Sequence, residues 1–192
     1  VKKLTQVGLL LALILGFSSY SQAALLIEPV VGYSLNAKFD ATETATLPNG
    51  LEAKGNGVSY GGRLGYQQLG FQLGIDYLKS SLTIDEDGLE DGVSMSEWGA
   101  FAGFEFPVLL RVYAGYIFSA TADAEGTNGT KIEFTEGSGM KFGVGFTGLP
   151  FIDINVEYRK GTFGELEMAG IKTGAETDYS ALMLGLSLPF TI

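Results

Sequence analysis

The chain has no cysteine and no histidine among its 192 residues, and only one tryptophan and five prolines. Without cysteine there is no disulfide framework, no acylated-cysteine anchor and no thiol nucleophile. Without histidine the Ser-His and Cys-His systems and the usual zinc sites are excluded as well. Positive charge is scarce: 12 Lys and Arg against 22 Asp and Glu leave a net charge of −10. Such an acidic chain lacks the basic footprint of a nucleic-acid binder. Long apolar runs are missing too, since the longest, residues 7–17, falls short of the roughly 20 residues of a spanning helix.

That short run has its own meaning. Lys2 and Lys3 precede it, and Ser21 and Ala23 stand at the −3 and −1 positions of a cut before Ala24. Residues 1–23 are therefore expected to be a cleaved secretory signal peptide and residues 24–192 a single exported domain. Removing two lysines with the leader takes the net charge from −10 to −12. If the remainder sits in a membrane, it must do so as a closed barrel, because only helices and closed barrels satisfy every backbone group in lipid.

What is present is alternation. Residues 152–159 read Ile-Asp-Ile-Asn-Val-Glu-Tyr-Arg, apolar and polar by turns, the period of a strand with two unlike faces. The pattern recurs in eight segments, about 25–39, 57–67, 70–79, 95–105, 109–119, 138–147, 151–160 and 179–190. Their connections alternate in length: 40–56, 80–94, 121–137 and 161–178 are long and polar, whereas 67–70, 106–108 and 147–150 are tight. Long connections on one edge and short turns on the other predict an all-β, eight-stranded antiparallel up-and-down transmembrane barrel.

One face of these strands carries no charge, as a lipid-facing wall requires. Threading the chain up and down puts Tyr33, Tyr60, Tyr77, Trp98, Tyr116 and Tyr158 near the long-loop edge. Tyr66, Phe71, Phe104, Phe146, Phe151 and Phe190 fall near the short-turn edge. Two aromatic belts suit the two membrane interfaces. Tyr179 has the opposite parity to Leu182, so it either faces inward or precedes a bulge.

The other face holds Glu28, Lys38, Arg63, Asp76, Glu97, Glu105, Arg111, Lys141, Asp153, Glu157 and Arg159, six acids and five bases, interleaved with glycines. An eight-stranded barrel is only wide enough to be filled by side chains. A nearly neutral set of charges is expected to pair across it as a polar plug, with an ion or solute pathway as the alternative. Asp153 and Glu157, about 13 Å apart at strand rise, offer no cleft for paired-carboxylate catalysis. No enzymatic activity and no cofactor are expected. Asp85, Asp87, Glu90 and Asp91 supply hard oxygens within 84–92, but their spacing departs from a calcium-binding EF-hand loop, and a solvated acidic loop is the simpler reading.

At the C-terminal end, Met183-Leu184-Gly185-Leu186-Ser187-Leu188-Pro189-Phe190 alternates apolar residues and closes on an aromatic. With the barrel pattern, this resembles the small outer-membrane β-barrel superfamily of the OmpA transmembrane domain and OmpX-like proteins. Thr191 and Ile192 trail beyond the aromatic, and Met183 stands where that family has a polar residue. The resemblance implies an integral outer-membrane protein of structural or surface-interaction type, in contact with outer-membrane lipid and lipopolysaccharide. It also implies insertion by the outer-membrane assembly machinery through the last strand. A narrow porin-like or OmpW-like channel is the alternative. A soluble lipocalin-like barrel would reverse the faces, and it accounts for neither the belts nor the sorting of loop lengths.

Overall fold

In the computed structural model, strand pairing returns to its own first strand. The structure describes residues 24–43, 51–84, 91–126 and 130–192. The strands are β1 (Ala24–Ala41), β2 (Leu51–Gln68), β3 (Phe71–Ile84), β4 (Asp91–Phe106), β5 (Leu110–Gly126), β6 (Thr130–Leu149), β7 (Ile152–Met168), β8 (Ile171–Lys172), β9 (Thr177–Ser187) and β10 (Phe190–Thr191). Each of β1 to β7 pairs antiparallel with the next, and β9 pairs with both β7 and β1. That closure makes a ring of eight staves. β8 extends the β7 hairpin, and β10 continues the last stave along β1 beyond Pro189. Among the described residues closure leaves no long exposed sheet edge, the condition for a sheet to span lipid.

The short turns sit at one end. Gln68 pairs with Phe71 across Leu69 and Gly70, whose φ values of 51° and 84° give the doubly left-handed two-residue turn that matches strand twist. A side chain at Gly70 would also meet the Glu105 carbonyl at 2.7 Å. Leu109 and Phe151, at φ 63° and 67°, take the left-handed position in the turns after Pro107 and Pro150.

The other end differs from the sequence expectation. Most residues in the four segments read as long polar connections are strand: β1 runs to Ala41, β3 to Ile84, β5 to Gly126 and β7 to Met168. The staves therefore continue as a collar above the apolar band. The cause is a second alternation, with small apolar residues inward and polar ones outward. Ala120, Ala122 and Ala124 are buried between exposed Thr121 and Asp123.

In β1, β5 and β6 a bulge shifts the phase at the boundary, whereas in β2, β3 and β4 the same parity stays inward throughout. β1 shifts register between Ser34 and Ala37, with Asn36 at φ 48° and its N–H donating to Asn56 Oδ1 at 2.9 Å. One extra residue reverses every side chain beyond it. Lys38, expected inside, therefore points outward, 42% exposed and ion-paired with Glu52 at 3.3 Å. Ala37, Phe39 and Ala41 point inward instead.

Candidate functional site

The lumen is stratified along the barrel axis. At the short-turn end, Gln67 Nε2 donates to Glu105 Oε2 at 3.0 Å and Gln72 Nε2 donates to Gln67 Oε1 at 3.3 Å. Glu105 is only half-buried, at the mouth. Above it lies a buried ion network built on Glu28. Arg111 donates to both Glu28 oxygens, at 2.7 and 3.1 Å, and Arg63 Nη1 reaches the same carboxylate at 3.3 Å. The network then spreads sideways. Arg111 also donates to Asn155 Oδ1 at 2.7 Å and lies 3.3 Å from Asp153. Arg63 Nη2 donates to Glu157 Oε2 at 2.9 Å.

Going up the lumen, Arg159 bridges Glu157 and Glu97, and Glu97 accepts a hydrogen bond from the Tyr179 hydroxyl at 2.7 Å. Lys141 pairs with Asp76. The sequence places these charges on one face of each strand. Ring closure makes partners of residues as distant in the chain as Glu28 and Arg111.

Glycine sets the wall back where long side chains must fit. A Cβ at Gly143 would lie 2.1 Å from the Tyr113 ring, and one at Gly115 would lie 2.5 Å from the Lys141 stem. Tyr113 fills the space so opened and lies under the Arg63 guanidinium, 4.2 Å from its ring centroid, close enough for a desolvated cation–π contact. The cavity bounded by Val30, Arg63, Asp76, Leu78 and Arg159 measures only about 10 Å³, room for one water at most.

Above the ion pairs, Ser34, Ser59 and Ser80 form a hydroxyl row at 2.9 and 2.8 Å. Then the lumen turns apolar. Phe39, Phe134, Phe163 and Tyr179 pack with ring centroids 5.1–6.4 Å apart, surrounded by Leu82, Ile84, Met95, Ile117, Ile132 and Leu166. Sequence reasoning missed this upper core. It also missed Asn155, Tyr113 and Ser187 in the network, and it left Tyr179 between two orientations; the side chain is inward and buried.

The outer wall below the bulges is apolar throughout. Val31, Leu64, Leu73, Val112, Phe142, Val156 and Leu184 are each 41–67% exposed. Of the aromatics named from sequence, Tyr33, Tyr60, Trp98, Tyr116, Tyr158, Tyr66, Phe71, Phe146, Phe151 and Phe190 are exposed on the outside. Tyr77 and Phe104 are half-buried against neighbouring rings, Trp98 at 4.9 Å and Phe71 at 4.7 Å. A soluble barrel with an apolar lumen and charged wall over this region is ruled out by these faces. Asp85, Asp87 and Glu90 lie outside the described residues; Asp91 opens β4. Among the described residues no group of carboxylates is placed to hold a metal.

Comparison with solved structures gives the wall its context. Neisserial surface protein A superposes with a TM-score of 0.54 at 16% identity, over 88% of this chain and 100% of its own. Ail, the attachment invasion locus protein of Yersinia pestis, in complex with the heparin analogue sucrose octasulfate, superposes with a TM-score of 0.55 at 13% identity, over 86% of this chain and 99% of its own. The fold is that of the small outer-membrane β-barrels. No family model matches the chain, and no curated protein does. At such low identity the likeness concerns architecture alone.

Proposed function

We propose that the chain is an integral outer-membrane barrel whose work is done on its surface and not through its lumen. The observation that carries this reading is the filled interior. Five buried acids (Glu28, Asp76, Glu97, Asp153 and Glu157) meet four buried bases (Arg63, Arg111, Lys141 and Arg159), and an aromatic and aliphatic plug sits above them. An ion crossing this path would have to break several buried pairs, each costing about 3–5 kcal/mol to leave uncompensated. The exposed tyrosines, Trp98 and the phenylalanines serve as the two interfacial belts of the wall. Insertion by the assembly machinery through β9 and β10, and removal of residues 1–23 on export, belong to the same reading.

A non-catalytic role agrees with the residues available, because no histidine or cysteine exists to activate a nucleophile. The buried carboxylates are engaged by arginine and lysine. The channel alternative would need a continuous wet path, and the lumen chemistry described above opposes it. Planar-bilayer recording of the refolded chain tests the proposal: no resolvable conductance is expected. Stable, reproducible conductance steps would overturn it in favour of a channel.

A further inference from the structure

The three short turns are built from residues that suit water poorly. Left-handed turn positions favour glycine, asparagine or aspartate, which are at home in solvent and accept a positive φ at little cost. Here Leu69, Leu109 and Phe151 take them, at φ 51°, 63° and 67°. Their side chains are not folded back onto the barrel: all three are exposed, Phe151 to 84%, as are Val108 (69%) and Leu149 beside them. In water each such turn would carry a backbone cost and a bare apolar side chain together. Segments 68–70, 106–110 and 147–152 contain no charged residue, whereas Asp40, Glu52, Lys54, Asp123 and Lys131 are exposed at the opposite end.

These turns continue the apolar wall, which is short without them. On β3, β6 and β7 the outward apolar run covers six residue steps, from Phe71 to Tyr77, Met140 to Phe146 and Ile152 to Tyr158. Six steps make about 20 Å of strand and, at a tilt of about 40°, about 15 Å of depth, against an apolar band about 25 Å tall in outer-membrane barrels. Counting the turn tips adds about 5 Å. The aromatics at the two ends differ in the same sense. The long-loop belt is Tyr and Trp throughout, rings with a polar group for the headgroups, whereas the short-turn belt is phenylalanine apart from Tyr66.

We infer that the short-turn end is sunk in the membrane, with Leu69, Val108, Leu109, Leu149 and Phe151 among phospholipid acyl chains next to the glycerol level. The inference rests on the membrane reading given above and moves the lower boundary of the apolar band from the phenylalanine belt to the turns. Acyl chains cover the exposed leucines and the Phe151 ring, which offsets the cost of their left-handed backbone. Glu105 and Gln67 at the mouth then lie at headgroup level. This end offers no docking face to the aqueous compartment beyond, and recognition of a soluble partner is left to the collar.

Depth is read with a single tryptophan. Trp98, the only one in the chain, is replaced (Trp98→Phe), and Val108→Trp, Phe151→Trp, Leu73→Trp and Thr121→Trp are introduced one at a time. Each chain is refolded into phosphatidylcholine vesicles with and without bromine on the acyl chains near the glycerol, and iodide is added as the aqueous quencher. Emission from positions 108 and 151 should be lost to bromine, as it is from wall position 73, with no response to iodide. Position 121 on the collar should respond to iodide alone. Iodide quenching at 108 or 151 equal to that at 121 would put the turns in water and overturn the inference. Shielding of 108 and 151 from both quenchers, with 73 still quenched by bromine, would overturn it in favour of a second copy or another protein seated on this end. Loss of bromine quenching at 73 as well would overturn the membrane reading itself.

Discussion

Below the bulges and above them, the same eight staves solve opposite problems. In the lower barrel the outside is apolar, with Leu73 67% and Leu184 48% exposed, while Glu28, Glu157 and Arg111 are buried in the lumen. In the collar the order is reversed: Asp40, Glu52, Thr121 and Asp123 face out, and Phe39, Phe134 and Phe163 face in. The difference follows the solvent outside. Hydrocarbon removes any hydrophobic gain from burying leucine inside, so the lower lumen is free to hold ion pairs that stitch the staves together. Water around the collar restores that gain, and the collar packs like a soluble core.

The sharpest way to break this comparison is to unbalance the lower lumen. Glu157→Ala leaves Arg63 and Arg159 without the buried carboxylate they share, and the barrel should lose about 4–5 kcal/mol. A refolding titration in urea would measure it. Removing an aromatic from the collar should cost nearly as much but act elsewhere. Phe163→Ala opens a cavity beside Phe134 and Tyr179 and should cost about 3–4 kcal/mol. Amide exchange is expected to quicken across residues 37–41, 130–134 and 177–181 while the lower staves stay protected.

The outside gives the next contrast. Leu184→Arg places a cation against lipid and should destabilise by about 2–3 kcal/mol, whereas Thr121→Arg on the collar should change stability by less than about 0.5 kcal/mol. Equal effects would erase the boundary between the two regimes. The smallest effect concerns pH. Hydrogen bonds from Lys54 and Lys38, 3.0 and 3.3 Å away, hold the Glu52 carboxyl below its ordinary value of 4.5. A depressed carboxylate contributes stability above its unfolded pKa and loses it as pH falls through the folded one. Carbon-detected titration should therefore place the Glu52 midpoint below 4.5, and Lys54→Ala should raise it.

Much of the lower barrel was legible in the chain. Residues 152–159 alternate without a slip, and the structure turns Ile152, Ile154, Val156 and Tyr158 outward and Asp153, Glu157 and Arg159 inward. Lys38 was misplaced because a bulge near Asn36 adds one residue; asparagine tolerates the positive φ found there, but a single one inside an alternating segment does not announce a bulge. The collar was read as loops because its inward residues are often alanine and its outward ones acidic. Ala120, Ala122 and Ala124 do alternate, but they lack the bulk that announces a strand. Specific partners such as Arg111 with Glu28, or Tyr179 with Glu97, depend on stave order and stagger around the ring. Those are properties of closure and not of any one segment.

The two-storey account is tested most directly along a single stave. Because the chain has no cysteine, one-cysteine variants at Val112, Tyr116, Thr121 and Asp123 on β5 each carry one environment-sensitive label. In vesicles the labels at 112 and 116 should report lipid or its interface, those at 121 and 123 water, and a cysteine at buried Ala122 should stay unreactive until the barrel unfolds. A label at 121 or 123 in hydrocarbon, one at 112 in water, or ready labelling at 122 in the folded barrel would contradict the account.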